Sequence, residues 1–323
     1  MELKQPINDL YKHCYYVKHN NYNNLNEQIE KENFYLNNNF IYEEMINDFL
    51  DNNEQVHNKK SKYNEHLNEN DLFTLTYDFF KNLDSDIFKN FTILFKNKEN
   101  NVSFINDKIN SKYVGYTKKY QNNFIKIEMI KNNNITDLYT LVHEYGHAIN
   151  HLNNDFKYTF YRKPFSEIES IFLELLLSNY LEKNDFNQKD ILCYNNFMFD
   201  SIYKDALFMK AKYLFLDFQN LNHLNCHNKN YYKEIKQMVN VSKKDIKYLY
   251  SINSYELLPY VISPLYAFEL YDMYLKSKEK ALSVYKKIIC FDSPSTIDII
   301  NNLESFYLYP NETDTCIRYL KRM

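Results

Sequence analysis

The chemistry open to this chain is concentrated in five consecutive residues, His143-Glu144-Tyr145-Gly146-His147. On a helix, residues four apart lie on one face a turn apart, so His143 and His147 can offer imidazole nitrogens to a single Zn2+. A zinc ion held this way lowers the pKa of a bound water towards neutrality, and Glu144 beside it can take the proton as that water attacks a carbonyl. Gly146, inside the motif, is one of only two glycines among 323 residues.

A catalytic zinc site needs a third protein ligand and an open fourth position. Residues Phe165 to Leu177 supply candidates, with apolar Ile168, Ile171, Phe172, Leu175 and Leu176 at helical spacing and Pro164 near the start. Glu167 and Glu174, seven apart, share a face of that helix, whereas Glu169 points elsewhere and reads as a solvated charge. Glu167 is the expected third ligand. It lies 20 residues past His147, enough for one helix to end, a loop to turn and a second helix to return beside the metal. Glu174, two turns along, is placed to hold a ligand histidine by its free ring nitrogen. His151 continues the face of His147, but a rise of about 6 Å per four residues takes it out of reach of the same ion. It reads as a capping or surface residue.

These side chains need elements to position them. Leu138, Leu141, Val142, Tyr145 and Ile149 fall at helical offsets around the motif, and the polar run Asn132 to Asn134 leads in, with Thr136 or Asp137 as the expected N-cap. Just upstream, residues 124 to 130 alternate apolar and charged, which predicts a strand whose free edge could pair with an extended peptide backbone. Helices are predicted from Asp71 to Phe80 and from Asp84 to Phe95, the second behind the cap signal Leu83-Asp84-Ser85. Beyond Glu174 the pattern is helical over residues 197–224, 229–239, 243–252, 255–275, 278–289 and 295–303. Residues 7–60 read as one or two polar helices with apolar positions such as Phe40, Ile41, Met45, Phe49 and Leu50. The Asn/Lys/Glu-rich stretch from about Asn52 to Asn70 reads as a linker. The expected organisation is an N-terminal helical segment and linker over 1–70, followed by a helical catalytic domain over 71–323.

Composition narrows the function classes. A net charge of −3 and a pI near 6.3 leave no electrostatic footprint for nucleic acid. The five cysteines are odd in number, scattered and without a C-x-x-C pair, which favours reduced thiols in the cytosol. Met1 to Pro6 lacks the apolar core of a signal peptide, and no run approaches membrane-spanning length. A cytoplasmic protein with no membrane partner is therefore expected.

The segment from Thr140 to Ala148, followed by Glu167-x-x-Ser170-x-x-x-Glu174, resembles the oligoendopeptidase F and thimet oligopeptidase family of zinc metallopeptidases. Gly115 within Lys112-Tyr113-Val114-Gly115-Tyr116 resembles the family's lysine-then-glycine segment. Asp292 to Ser295 resembles its serine-rich turn, and Phe218-Gln219 through His223 a Phe-Glu…His helix. The resemblance spans roughly residues 70 to 310 and implies a mainly α fold, with a small β-sheet edge before the H-E-x-x-H helix. It further implies Zn2+ held by His143, His147 and Glu167, Glu144 as activator of water, and short oligopeptides as substrates. The chain is shorter than typical members, with a reduced N-terminal lobe. Family members stabilise the oxyanion with tyrosines and a histidine from a late helix. Tyr260 stands at one tyrosine position, Ile262 and Pro264 at others, and Asn253 at the histidine. Tyr266 is the substitute expected if the prolines re-aim that helix. A thermolysin-like peptidase fits the glutamate spacing but not the helix-rich second half. The alternative outside enzymes is a degenerate zinc- or peptide-binding protein of the same fold.

Overall fold

A computed structural model describes residues 41–53, 63–105, 114–120, 123–153, 162–222, 254–291 and 295–310, with side chains of 211–222 and 254–256 excepted. The expected helices over 229–239 and 243–252 lie outside the described residues, as do Asn253, His223, Lys112 and residues 292–294.

The first helix described, α1, covers 41–52 and buries Tyr42, Met45, Ile46, Phe49 and Leu50, a one-face pattern of helical period. Residues 63–68, read from sequence as linker, are docked: Asp190 accepts from the backbone N–H groups of Asn64 and Glu65, and Leu67 N–H donates to the Asn133 carbonyl at 3.3 Å. Next come α2 (Glu69–Leu83) and α3 (Ser85–Phe95). Asn68 and Asp71 form a capping box on α2, and Asp84 caps α3 as its sequence signal predicts. The short α4 (Lys98–Asn101) leads into strand β1 (Val102–Ile105).

The sheet has three strands in the order β1-β3-β2, with β2 (Gly115–Lys119) antiparallel and β1 parallel to β3 (Ile125–Ile130). The predicted strand is therefore central and hydrogen-bonded on both sides, so it has no free edge. Its alternation is real, but alternation reports which face is buried and not which strand lies outside. The edge facing the motif helix is β2, whose polar sequence Gly-Tyr-Thr-Lys-Lys carries a weaker strand signal.

The motif helix α5 (Ile135–Asn153) begins two positions earlier than a cap at Thr136 would allow, because Asn134 is the residue whose side chain accepts from Thr136 N–H, at 2.9 Å. Asp137 instead reaches back to the backbone N–H groups of Asn132 and Asn133 at 2.8 and 2.6 Å. Tyr145, roughly 200° round the helix from His143, is buried among aromatic rings, 4.9 Å from Phe91, which stacks on Phe80 at 4.3 Å. That contact locks the rotation of α5 and so the direction of its histidine face.

A 3-10 turn (Lys163–Phe165) precedes α6 (Ile168–Lys183), and then follow α7 (Gln188–Asn222), α8 (Ser254–Lys276), α9 (Lys278–Ile288) and α10 (Thr296–Ser305). Every residue of α6 from Ile168 to Ser178 is buried, so this stretch of the helix has no solvent face. Glu169 accordingly is not the solvated charge its spacing suggested. It is fully buried, paired with the equally buried Arg162 at 3.2 Å and hydrogen-bonded by Asn150 of α5. Apolar residues from α1 to α10 share one core, and no described helix is long and apolar enough to cross a membrane.

Candidate metal centre

Two elements bring the site together. Helix α5 carries His143 and His147 one turn apart, and the start of α6 carries Glu167 across from them. His143 Nε2 and His147 Nε2 are 3.1 Å apart, and Glu167 Oε2 lies 3.1 Å from the first and 3.0 Å from the second. Three lone-pair-bearing atoms this close repel one another unless a proton or a cation lies among them. Ligands of a tetrahedral ion with bonds of about 2.0–2.1 Å would be separated by roughly 3.3 Å, so this triangle fits one small cation. Two imidazoles and a carboxylate are also a donor set suited to catalytic zinc. Among the described residues this is the one cluster of three or more such groups with converging ligand atoms, and His151 is not in it. The His151 carbonyl accepts from Lys119 Nζ at 2.9 Å, and burial, with His147 and Lys119 nearby, pushes its imidazole pKa down to about 4.

The local backbone explains why Glu167 is available. It occupies the N-cap position of α6 in a helical conformation and makes no side-chain cap bond, so its carboxylate turns to the histidines. Its backbone N–H donates to Ser263 Oγ at 3.1 Å, and the same hydroxyl donates to the Pro164 carbonyl at 2.9 Å. A buried serine on α8 thus pins both sides of the turn that presents the carboxylate. Gly146 lets α5 and α6 approach: a Cβ there would lie 2.8 Å from Ser170 Oγ and 3.1 Å from the Ser170 Cα.

Glu174 is bonded to His143 Nδ1, which leaves the Nε2 lone pair directed at the cluster. Tyr194 of α7 donates to the other Glu174 oxygen at 2.8 Å and stacks on Tyr139, with ring centroids 3.5 Å apart. The Tyr139 hydroxyl donates to Ser178 Oγ at 2.7 Å, and Ser178 donates to Asn195 Oδ1 at 2.8 Å. Neither Tyr194 nor Ser263 was legible as a site residue, because nothing in local periodicity says which distant helix packs behind a ligand.

Electrostatics agree with a site shaped for a cation. Burial alone would lower the histidine pKa values, but Glu167 and Glu174 outweigh it and hold His143 well above its ordinary value, and Glu167 chiefly raises His147. Burial would raise Glu167, and the two imidazoles hold it well below the usual carboxylate range instead. Glu144, one residue on from His143, is buried, with its carboxylate bonded by Thr117 of β2 at 2.7 Å.

The expected oxyanion donors are placed differently from one another. Helix α8 runs unbroken through Pro259 and Pro264. Tyr260 is 44% exposed, whereas Tyr266 is fully buried with its ring 5.6 Å from Phe165, and its hydroxyl meets no hydrogen-bond partner among the described residues.

A search of curated protein sequences returns no match. Solved structures share the fold at low identity. A candidate peptidase from Chlamydophila abortus superposes with a TM-score of 0.61 at 13% identity, over 97% of this chain and 56% of its own. A candidate oligoendopeptidase F from Bacillus anthracis str. Ames gives 0.58 at 14%, over 98% and 59%. PZ peptidase A, solved with an inhibitor, gives 0.59 at 12%, over 84% and 54%. The chain thus spans little more than half the length of these proteins. The family model for peptidase family M3 matches residues 130–292, half of the sequence, and includes His143, His147 and Glu167. With the motif helix, the glutamate helix and the fold in agreement, the chain belongs to peptidase family M3.

Proposed function

We propose that this protein is a zinc metalloendopeptidase that hydrolyses peptide bonds in short oligopeptides. The observation that carries the reading is the 3.0–3.1 Å triangle of His143, His147 and Glu167 with the buried Glu144 carboxylate beside it. Zinc held by those three residues would supply a Lewis acid for the scissile carbonyl and acidify the attacking water. Glu144 takes the proton of that water and delivers it to the leaving amine. Glu174 keeps His143 in the tautomer that ligates, and Tyr194 keeps Glu174 in place. Of the two late tyrosines, Tyr260 is the one whose exposure suits it to donate to the developing oxyanion; Tyr266 would need α8 to move.

Two described cysteines, buried Cys193 and exposed Cys290, are free thiols, which supports a reducing compartment such as the cytoplasm. PZ peptidase A with its inhibitor and the candidate oligoendopeptidase F are the neighbours that favour peptide substrates over other amides.

The test uses quenched fluorescent peptides of graded length with wild type and Glu144→Gln, and metal analysis of both. Chelator-sensitive cleavage by wild type is expected, with Glu144→Gln retaining zinc while kcat falls by roughly 10²–10⁴. Full zinc occupancy with no cleavage of any peptide would sink the reading and leave a zinc- or peptide-binding protein of this fold.

A further inference from the structure

We infer that strand β2 positions the general base, with Thr117 as the positioning residue. The inference rests on Glu144 being that base, and it concerns a side chain the motif does not contain. Gly115 and Thr117 are two apart on β2 and therefore face the same way, towards α5. The Thr117 hydroxyl lies 2.7 Å from Glu144 Oε2 and 3.0 Å from the Glu144 carbonyl. It has one proton to give. The shorter contact is to the charged acceptor, and charge-assisted bonds are the stronger, so the proton goes to the carboxylate.

The other carboxylate oxygen is held by shape. A Cβ on Gly115 would sit 2.8 Å from Glu144 Oε1 and 3.1 Å from its Cγ, so only a residue without a side chain leaves Oε1 where it is. One oxygen is thus anchored by a hydroxyl and the other fits a gap, which together select one orientation of a side chain with three rotatable bonds. The strand itself is set by pairing: Gly115 lies opposite Met129 and Thr117 opposite Ile127, both buried in the core beneath the sheet. Thr117 transfers no proton. The one taken from water passes through Glu144 to the leaving amine, and Thr117 decides where that carboxylate waits.

The test compares Thr117→Ala with Thr117→Ser, which differ by the hydroxyl alone, and adds Thr117→Val for shape. Thr117→Ala and Thr117→Val are expected to lower kcat about tenfold with KM and zinc content unchanged, and Thr117→Ser to stay within about threefold of wild type. In a Glu144→Gln background, Thr117→Ala is expected to lower the residual turnover no further. Equal kcat for the Ala and Ser variants would overturn the inference, as would a loss of kcat that tracks loss of zinc or of thermal stability. A wild type that binds zinc and cleaves nothing would overturn the underlying peptidase reading; an active wild type matched by Thr117→Ala would overturn this inference alone.

Discussion

The two glycines of this chain sit on opposite sides of the same site and open different kinds of space. Gly146 lets the backbone of α6 come up against the motif helix, since one of the atoms its Cβ would meet is the Ser170 Cα. Gly115 makes room for the Glu144 carboxylate and the Thr140 methyl, which are side-chain ends. On the α6 side, positions are set by backbone packing and buried bonds: the Ser263 clamp, the Arg162 and Glu169 pair, and the chain from Glu174 to Asn195. On the β2 side, position depends on one hydroxyl and one gap. The proposed metal ligands are therefore held by groups that also hold the fold, while the proposed base is held by groups the fold could do without. Stability and zinc binding should follow the first side, and turnover alone the second.

The largest expected effect tests the α6 side where its cost is greatest. Arg162 donates to the Phe165 carbonyl at 2.6 Å and pairs with Glu169, which Asn150 also bonds, so one buried ion pair joins the Glu167 turn to both helices. Glu169→Ala leaves Arg162 buried without its carboxylate and is expected to cost about 3–5 kcal/mol in denaturant unfolding of the zinc-free protein. A cost no larger than that of an exposed substitution would break the comparison, because it would mean the α6 side is not braced by its interior. Next in size, Gly146→Ala is expected to cost about 1–3 kcal/mol, as overpacking against backbone does, and to weaken zinc binding by pushing Glu167 away from the histidines. Zinc affinity measured by chelator competition checks the second half: normal affinity in a destabilised Gly146→Ala would separate metal geometry from helix spacing.

How much of this was legible follows the same division. Residues on one helix reveal their relation through period. That is why the four- and seven-residue spacings paired His143 with His147 and Glu167 with Glu174, while the meeting of the two pairs is made by the packing of α6 against α5. Glu169 was misread because period locates a face but not its surroundings, and α6 has neighbours all round. Arg162, the one arginine before residue 318, was the available sign that a buried partner was needed. The order of the strands was hidden for another reason. Central and edge strands with one buried face alternate alike, so only pairing distinguishes Ile125–Ile130 from Gly115–Lys119. Thr117 could have been found from Gly115, two residues before it, had the polar β2 been recognised as a strand.

The smallest change in stability belongs to Gly115→Ala, and it is the sharpest test of the comparison because stability and turnover should part company there. Gly115 does not adopt a positive φ, so alanine meets no backbone strain there. Replacing glycine at such a position restricts the unfolded chain and is worth about 0.4–1 kcal/mol of stabilisation, against which stands the need to move the Glu144 carboxylate and the Thr140 methyl from 2.8 Å. Both can rotate away, so the net change in unfolding free energy is expected to stay within about 1 kcal/mol of zero. The carboxylate, however, cannot rotate away and keep its bond to Thr117, and a base displaced by about 1 Å can lose on the order of 10²-fold in rate. Gly115→Ala should therefore unfold like wild type, hold zinc like wild type, and show a kcat at least about tenfold lower. If its activity falls only in step with its stability or its zinc content, the base side is no softer than the metal side, and the two glycines do the same work.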